Sequence, residues 1–361
     1  MVKIGSRIRD PENFRGTVRY IGPVAVAKDP SETWLGIEWD SPGRGKHDGS
    51  CVDTSGVLHR YFKCLDGYGS FVKPSKVTLG RSFVDVLKER YVEENAPITA
   101  PDNIVPNAFV LTSKGHQKSI ELLGEQKLRK WQQISKLNKI AIRNDSIGFC
   151  TQEIVGYASQ FKEIDLQENL IFEWIEIAHF SLYLPSLQSI LLHGNKLQMI
   201  TNEIALGLPA GSFSNLKVLA LNGCNIQSWV SFLLLEKFLT NLEELYLSSN
   251  CLEDMPSYEN DETNESSDES SEIFPSLKTL DVSGCKIYSW NQVLYLGNIS
   301  KLTDLRLDDN PISLIKSCVS GKYKNLNRLS ISSTKLSNWS CIDKLASYTS
   351  CSYFRFFIFN K

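Results

Sequence analysis

The sequence predicts a multidomain chain: a small all-β barrel over residues 1–80, then an α/β solenoid of short repeats over residues 119–345. Three observations carry this prediction. The first 80 residues hold short runs of β-branched and aromatic residues, each bounded by Gly, Pro, Asp or Ser. The rest of the chain repeats one leucine pattern eight times in register. Between the two lies a short helical period and a stretch rich in proline.

In the first region "GTVRYIG", "TWLGIEWD", "HRYFKC" and "GSFVKP" read as strands. The glycines at 43, 45, 49, 67 and 69 supply positive φ or close backbone approach where a side chain would clash. The stretch "GRGKHDGSC", from Gly43 to Cys51, invites a phosphate-loop reading. That reading fails: Gly45-Lys46 is followed by His47 and Asp48 rather than Ser or Thr, and the carboxylate would repel a phosphate.

Residues 81–118 form a helix and a linker. "SFVDVLKERYVEEN" places Phe83, Val86, Leu87 and Tyr91 at helical spacing, with Ser82 as N-cap. "APITAPDNIVPNA" follows, and its three prolines disfavour helix. A second helical stretch is expected over 119–135.

The pattern L-x-x-L-x-L-x-x-N-x-L then recurs, with its key position at Asp145, Asn169, Asn195, Cys224, Asn250, Cys285, Asn310 and Thr334. That position takes Asn or Cys because the side chain must bond backbone groups inside a tight, buried turn. Cys224 and Cys285 therefore read as structural thiols, and the outward positions of each short strand should line a concave, partner-binding face. One step is long. Residues 257–272, "SYENDETNESSDESSE", hold seven acidic residues and no basic one, and are expected to leave the solenoid as a disordered acidic loop. After Leu345, residues 346–361 crowd six aromatic side chains and match neither the repeat nor an amphipathic period. They read as an atypical aromatic tail.

Composition excludes several functions. A net charge of −2 with both signs mixed gives no electrostatic footprint for nucleic acid or anionic membrane. No window approaches the roughly 18 apolar residues of a spanning helix, and the opening "MVKIGSRIRDPENF" has no signal-peptide run. Nine scattered cysteines without C-x-x-C pairs or nearby histidines disfavour disulfides and zinc and suggest reduced thiols in the cytoplasm. No nucleophile elbow, zinc motif, dinucleotide fingerprint or kinase signature appears, so neither enzymatic activity nor a cofactor is expected.

The first domain resembles a CAP-Gly domain, an SH3-like barrel of cytoskeleton-associated proteins. The resemblance rests on "GTVRYIG", "WLGIEWD", "GRGKHDGS", "RYFKC" and "GSFVKPSKV" in the family's order. Gly45, Lys46, Asp48 and Gly49 match its Gly-Lys-Asn-Asp-Gly hallmark, His47 replaces the Asn, and the segment over 50–60 is longer than usual. The resemblance implies binding of the acidic C-terminal tail of α-tubulin, ending Glu-Glu-Tyr. Lys46, His47 and open backbone amides would meet the carboxylates, and an apolar slot would take the terminal ring. Trp34 and Phe71 are the slot candidates, Trp39 and Phe62 are expected in the core, and Asp48 is expected to fix the loop.

A CAP-Gly domain followed by leucine-rich repeats is similar to the tubulin-specific chaperone E (tubulin-folding cofactor E) family. This implies a monomeric, cytoplasmic, cytoskeleton-associated cofactor that captures α-tubulin with other tubulin-folding cofactors, in assembly and dissociation of the heterodimer. The alternative is a microtubule plus-end or cargo adaptor using the same barrel. That alternative lacks the long heptads and basic, Ser-rich flanks such adaptors carry. The family continues into a ubiquitin-like domain, for which no residues remain, so an alternative or truncated end is expected.

Overall fold

The computed structural model describes residues 2–27, 29, 31–92, 109–111, 117–119, 137–258, 272–317, 319, 322–337, 339–348 and 352–355. Nearly all of the acidic loop, and the helix expected over 119–135 apart from Ser119, lie outside the described residues.

The N-terminal strands are β1 (Arg7–Arg9), β2 (Arg15–Gly22), β3 (Trp34–Trp39), β4 (Ser50–Val52), β5 (Leu58–Arg60), β6 (Gly69–Val72) and β7 (Thr78–Leu79). Five of them form an antiparallel sheet in the order β6-β3-β2-β1-β7, and β4 and β5 pair as a separate hairpin. The long β2–β3 pair sets the frame, with Val18 opposite Ile37. Alternate residues turn inward, so Ile8, Val18, Leu35, Ile37 and Trp39 make the barrel core. Gly36 leaves room for Phe62, whose ring would meet an added Cβ at 2.6 Å. The hairpin β4–β5 accounts for the extra length over 50–60.

The expected helix begins as read. Ser82 Oγ accepts from the Val84 amide, and residues Phe83–Leu87 follow as α1, which continues as a π-turn over Lys88–Val92. The core it joins is the solenoid's, not the barrel's: Phe83, Val84, Val86 and Leu87 are buried in the solenoid cluster. Just before α1, β8 (Arg81–Ser82) pairs in parallel with β12 (Ile147–Phe149). A short antiparallel pair, β9 (Phe109–Leu111) and β10 (Gln117–Ser119), stands between the two regions in sequence.

The solenoid is one parallel sheet of nine strands: β11 (Lys139–Ala141), β13 (Glu163–Asp165), β14 (Ser189–Leu191), β15 (Val218–Ala220), β16 (Glu244–Tyr246), β17 (Thr279–Asp281), β18 (Asp304–Arg306), β19 (Arg328–Ser330) and β20 (Tyr353–Arg355). The middle residue of each points into the core, from Ile140 opposite Ile164 to Leu329 opposite Phe354. On the convex side the helices Trp174–Tyr183, Trp229–Leu233 and Trp290–Leu296 each open on a buried tryptophan. Ser289 and Gln292 close a full capping box on the last of these.

The turn position behaves as its chemistry requires. Asn310 Nδ2 donates to Val282 O (2.8 Å) and Leu307 O (2.9 Å), while its Oδ1 accepts from the Cys285 (3.0 Å) and Ile287 (2.9 Å) amides. Asn169 repeats this arrangement, and Asn195 and Asn250 repeat it with one amide donor each. Cys224 Sγ reaches Leu192 O at 3.1 Å and Cys285 Sγ reaches Leu247 O at 3.0 Å. Burial pushes both thiols up to about 12, which keeps them protonated donors.

The tail differs from the sequence expectation. Its described part is a ninth repeat strand, β20, and Tyr348 is buried with its hydroxyl accepting from Trp290 Nε1 at 2.8 Å. Phe354 takes the place of the inward leucine, and an aromatic at that slot hides the repeat from a pattern written in aliphatics.

Candidate peptide-binding groove

The barrel carries an open groove of ≈ 550 Å3. Of the residues singled out in the sequence, Trp34, Lys46, His47 and Phe71 line it, together with Trp39. Gly45, Asp48 and Gly49 do not line it; they build the turn that presents Lys46 and His47.

That turn is held by backbone contacts that leave no space for side chains. A Cβ on Gly45 would lie 2.3 Å from the carbonyl carbon of Tyr68, and one on Gly49, at φ +94°, would lie 2.3 Å from Phe62 O. Asp48 accepts from the Ser50 hydroxyl and amide and from Arg60 Nη2 at 2.6 Å. The Ser50 hydroxyl, then the Arg60 guanidinium, hold its carboxyl far below the usual carboxylate range. Asp48 thus spans the turn and the β4–β5 hairpin.

The expectation of open backbone amides is corrected. The Gly45 amide donates to Gly67 O (2.9 Å), and those of Lys46 and His47 donate to Gly69 O (2.7 and 3.2 Å). Closing the turn onto β6 consumes these donors, so side chains must supply the polar contacts. His47 Nδ1 accepts from the Gly49 amide at 3.0 Å, which leaves the neutral ring's proton on Nε2. Burial lowers the His47 pKa, opposed by the Asp48 and Asp66 carboxylates, so the ring is a neutral donor at pH 7. It stacks on Phe71 with centroids 4.6 Å apart. Among the described residues the Lys46 ammonium has no acidic partner.

The apolar part is built from β3, β6 and the turn after β2. Phe71 meets Phe62 and Tyr61 edge-on at 5.9 and 5.2 Å, so its ring is fixed before any ligand arrives. Phe62 and Trp39 are buried, at 9% and 3% exposed, whereas Trp34 and Phe71 are only partly covered. Trp39 serves both regions: it is core, yet one face borders the groove.

Sequence reading missed Arg44 and Lys76, which also line the groove. Arg44 stacks over Phe14 and Trp39, its guanidinium 5.0 and 5.2 Å from their centroids, and bonds Asp10 through Nε at 2.9 Å. Its partners are distant in sequence, so only its place beside Gly45 could have drawn notice. The groove thus joins an aromatic slot to a polar lip, where Lys46, Lys76 and the neutral His47 stand beside Arg44, itself paired with Asp10 and Glu12 of the same lining.

The family model for the CAP-Gly domain matches residues 4–77. Tubulin-specific chaperone E of Homo sapiens is 31% identical over 354 residues, covering 95% of this chain and 60% of its own. Tubulin-folding cofactor E of Arabidopsis thaliana is 30% identical, covering 88% of this chain and 56% of its own. The solved internalin C2 of Listeria monocytogenes aligns with TM-score 0.40 and 19% identity over 62% of this chain and 82% of its own. The chain therefore spans roughly three fifths of the length of the curated relatives it matches.

Proposed function

We propose, from its similarity over nearly its whole length to the tubulin-specific chaperone E proteins, that the chain is a non-enzymatic tubulin-folding cofactor that captures α-tubulin. The observation that supports this most is the groove itself: the Lys46 ammonium, with no acidic partner among the described residues, and His47 Nε2–H stand beside an aromatic slot of Trp34 and Phe71. An acidic C-terminal tail ending in an aromatic residue matches both halves. Its carboxylates meet charge-assisted donors and its terminal ring enters the slot. The solenoid holds the folded body, so two modest sites combine through effective concentration. This takes place in the cytoplasm, in assembly and dissociation of the heterodimer with other folding cofactors.

The test is binding of the full chain to a peptide ending Glu-Glu-Tyr, with and without the tyrosine, beside capture of free tubulin and of intact microtubules. Tight binding that needs the tyrosine, with preference for free tubulin, is expected. Indifference to the tyrosine would remove the aromatic slot, and preference for the lattice would favour an adaptor.

A further inference from the structure

The concave face of the solenoid is divided by charge. At its N-terminal end Lys139 pairs with Glu163 at 2.8 Å, and Arg143 Nε donates to Asp165 at 2.6 Å. At its C-terminal end Arg306 pairs with Asp281 at 3.6 Å and Arg328 with Asp304 at 3.2 Å. Each pair crosses from one repeat to the next, so these charges are answered within the solenoid. Between them, β14 and β15 present Ser189, Leu191, Val218 and Ala220, with His193 just beyond; among the described residues no ion pair joins these two strands, and Lys217, just before β15, is answered within the solenoid by Glu243 at 3.1 Å.

The side chains here are short. Ala220 is 1% exposed and Ser189 9%, so an approaching surface meets a shallow floor rather than a fringe of lysines and glutamates. Burial lowers the His193 pKa, and its Nδ1 accepts from the Asn222 amide at 3.3 Å, so the ring adds no charge at pH 7. Tyr246 of β16 borders the floor, its hydroxyl tied to Glu244 at 2.6 Å. An uncharged centre edged by an aromatic and flanked by paired charges is the anatomy of a protein-binding patch.

Its place limits the occupant. The barrel stands on the turns that follow β11, β13 and β14: Arg9 bonds Asn144, Arg15 pairs with Glu168, and Asp40 pairs with Lys196. The floor begins on the last of those repeats, so it continues from the barrel's own footing. It also has no unanswered cation for an acidic segment. We propose that this floor receives an uncharged, partly apolar surface on the folded body of the protein whose acidic tail the barrel holds. The inference rests on the two-site reading above and names the solenoid's share of it.

The experiment uses the full chain with two probes: tubulin stripped of its acidic C-terminal tails, and the isolated tail peptide. Leu191→Arg with Val218→Arg should weaken binding of tail-less tubulin about tenfold or more while leaving peptide affinity within about twofold. A milder pair, Leu191→Ser with Val218→Ser, should weaken it in the same direction, and guards against a folding defect in the arginine pair. Unchanged binding of tail-less tubulin by the folded arginine pair overturns the inference alone. If tail-less tubulin does not bind the unsubstituted chain at all, the two-site reading falls and the inference with it.

Discussion

Lys46 and His47 are neighbours with opposite electrostatic roles. Lys46 is a cation without an acidic partner among the described residues, so its contribution appears when a carboxylate arrives. Replacing it with Ala should weaken binding to a Glu-Glu-Tyr peptide by about 1.5–3 kcal/mol, the worth of a charge-assisted hydrogen bond; equal affinity measured by anisotropy, with folding intact, would remove Lys46 from the site. His47 is held neutral by burial and by the Gly49 amide on its Nδ1. Its folded pKa lies below its ordinary value of 6.5. Its contribution to stability is therefore complete above that pH and is lost as the pH falls through the depressed value. His47→Asn removes the titration, so denaturant melts between pH 7 and 5 should show a shallower loss than the unsubstituted chain, and an equal loss would contradict this role. That Lys46, His47, Trp34 and Phe71 share one groove follows what the resemblance of Gly45 to Gly49 to the CAP-Gly hallmark implied. Arg44 was not legible, because what fixes it is Asp10 on a different turn. The consumption of the turn's amides was equally hidden, since it depends on where β6 lies.

At the scale of elements, the repeats were legible because one buried leucine row and one turn residue recur at nearly constant spacing. The same regularity makes the turn residue costly to change. Asn310→Ala leaves the Val282 and Leu307 carbonyls and two amides without partners, at about 1–3 kcal/mol for each buried group left unsatisfied. A clear fall in the thermal midpoint is expected, while Cys285→Ser, which keeps a donor toward Leu247 O, should lose less. A larger loss from Cys285→Ser than from Asn310→Ala would show that volume rather than hydrogen bonding governs this position. Several strands escaped the sequence, β1, β4, β7, β9 and β10 among them, and two more are instructive. The strand β8 has two residues and no alternation to read, and β20 replaces the leucine with Phe354 amid other aromatics. The second has a measurable consequence. Ending the chain after Leu345 removes Tyr348 from Trp290 and uncovers the edge of β19, so it should lower the midpoint of the solenoid's transition. An unchanged midpoint would mean the ninth strand adds nothing to stability.

At the scale of the molecule, the question is whether barrel and solenoid behave as one body. Most of the footing is polar and partly exposed: Lys3 to Glu173 at 2.6 Å, Arg15 to Glu168 at 3.4 Å, and Arg9 to Asn144 at 2.6 Å. Exposed contacts of this kind contribute little individually. Asp40 is better sheltered. Burial alone would raise its pKa, but the Arg7 hydrogen bond and charge, with Lys196, bring it below the ordinary value. The closest approach is backbone on backbone, where β8 pairs with β12 and a Cβ on Gly148 would lie 2.7 Å from Gly80 Cα. From there the chain enters α1, whose four apolar side chains are fully inside the solenoid core. A barrel tied in this way should share the solenoid's unfolding transition. Gly148→Val forces β8 away from β12 without touching the groove, and calorimetry should then resolve a separate, earlier transition for the barrel. Peptide affinity should survive the change, because the groove is built within residues 10–76. Affinity for whole tubulin should fall, because effective concentration depends on holding the two sites at a fixed separation. A single transition in the Gly148→Val chain would place the coupling in α1 instead, and unaltered tubulin affinity would mean that a loose tether serves as well as a rigid joint.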